Sequence, residues 1–505
     1  MEKMSVKEYF QLKMPSEELP VSDQRRILLV LETLGYENVT FPLPVLRKLY
    51  PLCRDAGFDV TVTLVHREYD WIVTDVEAGD TRSHHYGLAV DYGSTTIVMQ
   101  LLDMNSGAVI GEEKAVNGQV AFGTDILSRI TFGLAGAEQK QQLQENTAET
   151  FGLLLSRLTE ATGIEAAKLP LMVISGNTTM IHFLLGLEGW TVFAAPYAPV
   201  TADPGFLWGR EVGIDFAGLL YVIPAASNYV GGDIVSGLMT LDIHKQEQVQ
   251  MFFDIGTNGE LVIGNKDWLL AGAGAAGPAL EGYISRYGMR AAPGAVDSVR
   301  IAENQLTVTT VEGAAPKGIC GSGIIDLLAQ MRRAGWLQMS GELNPEASDR
   351  IRYFPEDGEH GVIYAWHEDG VPLYFSQTDI RKYLETKAAA YTMVDCLLES
   401  AGIGTEDLAR CYLSGAFAVH GDLESAITIG IFPDLPRERY TVLPNSSLSG
   451  ARAFLLNHSL LREAKALAEN IYCVQFASIP DFLLRMQAAK FIPHTDLRRF
   501  PSIPE

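Results

Sequence analysis

Gly87-Leu-Ala-Val-Asp-Tyr-Gly-Ser-Thr-Thr-Ile-Val-Met-Gln-Leu-Leu-Asp103 is the stretch that decides the fold. It opens with an apolar run ending at Asp91, turns through polar residues around Gly93, and becomes apolar again. That texture predicts strand, tight turn, strand. Asn105-Ser-Gly107 marks a second hairpin turn, leading into a third strand over 108–116. Helices are predicted over 125–134, 137–162, 177–185 and 230–240, with a buried strand at 171–175. The hairpin texture then returns. Strands at 249–255, 260–264 and 268–273 flank the turn Gly256-Thr-Asn-Gly259. Helices near 278–287, 321–334, 378–401 and 422–429 follow, with short strands at 410–414 and 440–443. Three hairpin strands followed by helices therefore occur twice, a duplication that builds two similar lobes facing each other across a cleft.

Upstream, residues 1–85 have a different texture and predict a small α+β domain. An amphipathic helix over 22–34 precedes a second helix over 45–56, and alternating residues at 58–65 and 69–76 form a strand pair. The polar segment 77–85 reads as a linker, and its His84–His85 pair as solvated residues, because no further ligands stand at metal spacing. The chain has 505 residues and a formal net charge of −23. Such an acidic chain is repelled by phosphate backbones and anionic lipid, so neither nucleic acid nor membrane is an expected partner. Five scattered cysteines form no CxxC or Cys/His motif and suit a reducing cytoplasm. Neither a secretory leader nor a long apolar span is visible.

Four motifs carry chemistry. In Asp91-Tyr-Gly-Ser-Thr-Thr96, Gly93 permits a turn that a Cβ would obstruct. Ser94, Thr95 and Thr96 offer hydroxyls and backbone N–H groups to phosphate oxygens, and Asp91 can hold Mg2+ through water. Asp254-Ile-Gly-Thr-Asn-Gly-Glu260 repeats the pattern, with Gly256, Thr257, Asn258 and Gly259 forming its turn. Two such turns clamp a polyphosphate from both sides, which is more specific than either alone. The third motif, Ala271-Gly-Ala-Gly-Ala-Ala-Gly-Pro-Ala-Leu-Glu281, contains Gly274, Gly277 and Glu281 and leads into a helix start at Pro278. Its alternative explanation is tight helix–sheet packing. Gly318-Ile-Cys-Gly-Ser-Gly323 opens another helix in the same manner, and Cys320 reads there as a structural small residue. The fourth, Leu413-Ser-Gly-Ala-Phe-Ala-Val-His-Gly-Asp422, follows an apolar strand and sets Gly415 and Ala416 against the adenosine.

Together these motifs resemble the ASKHA superfamily of acetate and sugar kinases, Hsp70 and actin. The resemblance implies an α/β fold: a two-lobed ATPase with lobes at 86–245 and 246–505 after the small N-terminal domain. Gly176-Asn-Thr-Thr-Met-Ile-His182, Gly231-Gly-Asp233 and Ala276-Gly-Pro-Ala-Leu-Glu281 extend it to the reductive activators of corrinoid proteins, over nearly the whole chain. Residues 1–85 resemble that family's middle domain. The family implies ATP and Mg2+ as cofactors, a corrinoid methyl-transfer protein as partner, and a homodimer. Its activity is return of cob(II)alamin to cob(I), with ATP hydrolysis linked to electron transfer. Full-length members carry an N-terminal [2Fe–2S] domain. This chain starts at the middle-domain resemblance and its cysteines suit no such cluster, so no iron–sulfur cluster is expected and a separate donor supplies the electron. A short form or a fragment both fit, and the Met1 start favours the short form. Ala418 stands where the family has Gly, and its methyl is expected to crowd the adenosine.

Within this resemblance Asp91 holds the metal and Asp254 orients the hydrolytic water, the two catalytic assignments. Two other functions share the motifs. A small-molecule kinase requires a carboxylate base, for which Asp125 or Asp233 would serve. A nucleotide-sensing docking protein with little turnover accommodates Ala418.

Overall fold

The computed structural model describes residues 3–18, 20–256, 258–274 and 284–504, with the side chains of 416, 417 and 477 left aside. Two compact units emerge: residues 1–242 with 446–470, and residues 243–445 with 471–505. The sequence boundaries differ from this division. The small N-terminal domain joins the first unit, and so do two helices, Ser446–Leu456 and Leu460–Asn470, that the sequence reading left inside the second lobe.

The first unit begins with a four-stranded sheet in the order Ser5–Gln11, Asp59–His66, Trp71–Ala78, Val39–Thr40. Helices Asp23–Thr33 and Leu43–Asp55 bury Ile27, Leu31, Val45 and Leu49 with Val60, Val62 and Leu64 of the sheet. The Ser5–Gln11 strand pairs antiparallel with Asp59–His66 and was absent from the sequence reading. Its alternation is broken by Lys7, whose ammonium is buried against the Glu77 carboxylate; Lys168 reaches the same group at 2.9 Å. Burial alone would raise the Glu77 pKa, yet the hydrogen bonds from Lys7 and Lys168 hold it at about 2. His85, expected in a solvated linker, is buried with Nε2 at 3.0 Å from Ser5 Oγ, while His84 is exposed.

The main sheet of this unit has the order Val109–Val116, Thr96–Asp103, Tyr86–Tyr92, Leu171–Gly176, Leu219–Val222, Gly205–Trp208. The first three strands are antiparallel hairpin neighbours, and Tyr86–Tyr92, Leu171–Gly176 and Leu219–Val222 run parallel. Leu88, Val90 and Tyr92 pack with Phe151, Leu154 and Leu158 of the long helix Ala137–Thr162. The second unit repeats the order. Leu269–Gly274, Gly259–Gly264 and Gln250–Ile255 form the hairpins, and Arg410–Ser414 and Tyr440–Val442 continue in parallel. Ile471–Cys473 adds a parallel edge beside Leu269–Gly274.

So the third, second, first and fourth strands stand in the same order twice, each followed by one more parallel strand, and the first unit adds the antiparallel edge Gly205–Trp208; a duplicated hairpin-and-crossover unit produces this pattern. Two insertions escaped the sequence reading: the Ala295–Ala302/Gln305–Thr310 hairpin and the meander Ile351–Phe354, Glu359–Trp366, Pro372–Ser376. Most of the expected helix over 278–287 lies outside the described residues. Among the described residues no helix is long and apolar enough to cross a membrane.

Candidate nucleotide-phosphate turns

Asp91 is the sixth residue of the strand Tyr86–Tyr92, half-exposed where the chain turns. Its parallel register partner is Ser175. In the second unit Asp254 is half-exposed at the corresponding strand end, and its parallel register partner is Ser414. Both acids therefore stand at the carboxyl ends of central strands, where open α/β sheets bind ligands. Each has a serine at its level on the neighbouring strand.

The first turn is built tightly. A Cβ on Gly93 would lie 2.5 Å from the Thr96 carbonyl oxygen, so only glycine fits the reversal. Ser94 and Thr95 are half-exposed and Thr96 exposed, which leaves the turn open to an anion. Buried Asn117 pins it from behind: its Nδ2 donates to Gly93 O at 2.9 Å and its backbone N–H to Thr95 O at 2.9 Å. Ser447 Oγ donates to Asp91 Oδ1 at 2.8 Å and lies 2.9 Å from Ser175 Oγ, itself 2.9 Å from Ser236 Oγ. Each hydroxyl brings one proton and the carboxylate can only accept, so the Ser447 proton goes to Asp91, while Ser236 Oγ is also placed to donate to the Asp233 carbonyl oxygen at 2.8 Å. The helix Ser446–Leu456 delivers Ser447, and Gly450 lets that helix approach Ser236 of the helix Gly232–Leu241.

The second turn differs in detail. Among the described residues, a Cβ on Gly256 would meet nothing nearer than Asn258 O at 3.9 Å. The turn closes by donation from Gly256 N–H to Asn258 O at 2.9 Å. Gly259 pairs with Gly274 across two hairpin strands, and the site of a Gly274 Cβ is filled by Met393 Sδ. Gly415 has φ +94°, and a Cβ there would lie 2.6 Å from the Ile255 carbonyl carbon and 3.0 Å from Asp254 Oδ1. The Leu413–Asp422 motif thus crosses directly over the Asp254 strand end, and its helix Ala416–His420 starts at that crossing. Glu260, buried, is the antiparallel register partner of Asp254. Thr257, Gly277 and Glu281 lie outside the described residues.

Other sequence candidates are structural. Asp125 caps the helix Ile126–Leu134, accepting from Ser128 N–H at 2.8 Å and Ser128 Oγ at 2.6 Å. The Ser128 hydroxyl holds this carboxyl below its ordinary pKa, the wrong direction for a base. Asp233 lies in the first turn of the helix Gly232–Leu241 and accepts from Ile234 N–H at 2.9 Å. Cys320 is buried, its thiol donating to Val296 O, and a Cβ on Gly323 would come 3.0 Å from the Val296 carbonyl carbon. The Gly318–Gly323 run is therefore a helix–strand packing motif. Ala418 belongs to the hydrophobic core of the second unit. Burial pushes the Cys396 and Cys411 thiols up to about 11 and about 12, opposite to what thiolate ligation of a metal needs.

Sequence reasoning missed Asn117, Ser175, Ser414 and Ser447. Ser175 and Ser414 end apolar strands, a visible signal once the duplication is aligned. Ser447 stands hundreds of residues from Asp91, and nothing local marks it.

Comparison with known proteins assigns the parts. Residues 1–83 match the RACo linker region, 86–246 the RACo middle region, and 248–504 the C-terminal domain of RACo, the ASKHA domain. The resemblance of residues 1–85 to a middle domain thus meets the linker description at 1–83, and the middle-region description falls on 86–246. The chain is 28% identical over 473 residues to the corrinoid activation enzyme RamQ of Eubacterium limosum, covering 88% of this chain and 79% of that protein. It is 22% identical over 422 residues to the [Co(II) methylated amine-specific corrinoid protein] reductase of Methanosarcina barkeri, covering 76% of this chain and 73% of that one. Among solved structures, a reductive activator for corrinoid,iron-sulfur protein superposes with a TM-score of 0.89 at 33% identity, covering 99% of this chain and 81% of that chain. Matched to RACo regions from residue 1 to residue 504, the chain belongs to the RACo family.

Proposed function

We propose that this chain is the ATP-binding component that returns a corrinoid methyl-transfer protein from cob(II) to cob(I). The relatives named above act on corrinoid proteins, and the ASKHA domain is a nucleotide-binding fold. The observation that carries the nucleotide part is the repeated Asp–Ser register at the strand ends, Asp91 with Ser175 and Asp254 with Ser414. A polyphosphate needs hydroxyls and backbone N–H groups around it and hard oxygen donors for its metal.

Asp91 fits the Mg2+ role: its carboxylate is half-exposed and oriented by the Ser447 hydroxyl. Bound there, Mg2+ would neutralise phosphate charge. Ser94, Thr95 and Thr96 hold phosphate oxygens on the first turn, and Asn258 and Gly259 on the second. Asp254 orients the attacking water and accepts its proton. Gly415 lets the motif that would face the nucleoside pass close against the Ile255 backbone beside that carboxylate. Nucleotide state then biases the conformation that the corrinoid protein binds. The reduction takes one electron per cobalt, and a separate low-potential reductant supplies it. Homodimer formation and a cytoplasmic setting accompany this reading.

The test supplies a cob(II) corrinoid protein with a low-potential one-electron reductant and follows cobalt absorbance. Cob(I) should accumulate only when the chain and Mg·ATP are both present. Equal accumulation without nucleotide would overturn the proposal.

A further inference from the structure

Arg129 is completely buried, 0% exposed, in the helix Ile126–Leu134. Its Nε donates to Gly123 O at 2.8 Å and its Nη1 lies 3.7 Å from Met180 Sδ. Nη2 is buried with no hydrogen-bond partner among the described residues. The acid whose charge reaches it is Asp125, at the start of its own helix, both of whose oxygens accept hydrogen bonds from Ser128 rather than from the guanidinium. A buried cation without a counter-charge is costly, and native structures normally pair one. An arginine keeps its charge in such a place.

The charge lies directly behind the first phosphate turn. Met180 Sδ, in contact with Arg129 Nη1, is also 3.7 Å from Asn117 Nδ2. That same nitrogen donates to Gly93 O, and the Asn117 N–H donates to Thr95 O. The guanidinium is therefore two contacts from the turn backbone, separated from it by a thioether and a buried amide. In such surroundings a charge acts over several ångströms with little screening.

We infer that Arg129 is a positioning residue whose positive charge, only partly offset by Asp125, is balanced by the polyphosphate on the Gly93–Thr96 turn, so that it favours nucleotides in proportion to their phosphate charge. The inference rests on the nucleotide assignment made above. It explains why the cation is retained at a site with no hydrogen-bonded acid, and why Asn117 is buried between the two: it holds the turn at a fixed place in the field of the guanidinium.

The test is calorimetric binding of Mg·ATP, Mg·ADP and adenosine to the full chain and to Arg129→Met and Arg129→Lys. Removing the charge with Arg129→Met should weaken ATP about tenfold, weaken ADP less, and leave adenosine within about twofold. The Lys variant, which keeps the charge, should recover most of the ATP affinity. The unliganded Met variant should melt close to the wild type, because relief of the charge's burial is set against the lost hydrogen bond to Gly123 O and the lost attraction to Asp125. If Arg129→Met fails to fold, Arg129→Gln, which retains an N–H for the Gly123 carbonyl, makes the same comparison. Equal losses for ATP and adenosine would show a merely structural role and overturn the inference. So would an unchanged ATP affinity in the folded variant. If the wild-type chain binds neither ATP nor ADP, the nucleotide assignment itself fails, an outcome distinct from the other two.

Discussion

Replacing Gly450 by Ala tests how Asp91 is held in place. Gly450 lies within the helix Ser446–Leu456, where alanine is ordinarily about 1 kcal/mol better than glycine. Here the added methyl would lie 2.6 Å from the Ser236 carbonyl carbon and closer still to Ser236 Cβ and O. Ordinary contact begins about 1 Å further out, and the obstacle is largely backbone, so the two helices must separate by about that much. Ser447, one turn upstream, moves with its helix. Its hydrogen bond of 2.8 Å to Asp91 and its approach of 2.9 Å to Ser175 then stretch past the hydrogen-bond limit. Overpacking costs about 1–3 kcal/mol and the lost hydrogen bond to a charged group about 1 kcal/mol more. Set against the propensity gain, the net is a destabilisation of about 1–3 kcal/mol, with reduced ATP turnover. The control is Gly152→Ala in the helix Ala137–Thr162, where the new methyl would meet nothing within 4 Å. Gly152→Ala should stabilise by about 0.5–1 kcal/mol. Urea unfolding of the three proteins provides the measurement. A Gly450→Ala protein as stable as Gly152→Ala, with turnover intact, would refute the packing that places Ser447 on Asp91.

Other perturbations follow the same geometry. Asp254→Ala should abolish ATP turnover while keeping part of the nucleotide affinity in calorimetry; turnover at the wild-type rate would remove its assigned role. Gly415→Ala forces a methyl against Ile255 at φ +94° and should cost about 2–4 kcal/mol, read by thermal melting. Burial lowers His85 to about 3 from an unfolded value near 6.5. Between those values the unfolded chain binds the extra proton, so stability falls as pH drops below about 6.5, by at most about 1.4 kcal/mol per unit. His85→Gln should flatten that acid limb in urea titrations at pH 5 and 7, and an unchanged slope would assign it elsewhere.

The parts of the fold visible in sequence are those whose strands alternate within a few residues of a polar turn. Tyr86–Asp103 and Gln250–Gly274 declare themselves because Gly93 and the Gly256–Gly259 turn punctuate apolar runs. The Asp125 and Asn177 caps likewise mark helix starts within a residue. What stayed hidden depends on distant partners. Ser5–Gln11 is a strand because Asp59–His66 pairs with it, and its buried Lys7 breaks the apolar pattern that would have revealed it. The helix Ser446–Leu456 joins the first unit through Gly450 against Ser236, a contact across more than two hundred residues that no local periodicity encodes. The site was legible in the same measure. The placement of Asp91, Asp254 and Gly415 at strand ends was readable from spacing, whereas Asn117 behind the turn and Ser447 on Asp91 were not. Ala418 packs with the hydrophobic core of the second unit, a neighbourhood that helical position alone does not reveal.

The central claim is that nucleotide on this chain is coupled to the cobalt state of a corrinoid partner. Calorimetric titration with a corrinoid methyl-transfer protein from the same organism, in its cob(II) and methylated forms, each with and without Mg·ATP, tests it most directly. Coupling requires differential binding, so the cob(II) form should bind more tightly than the methylated form, and Mg·ATP should change that ratio. Equal affinities in all four combinations would contradict the account.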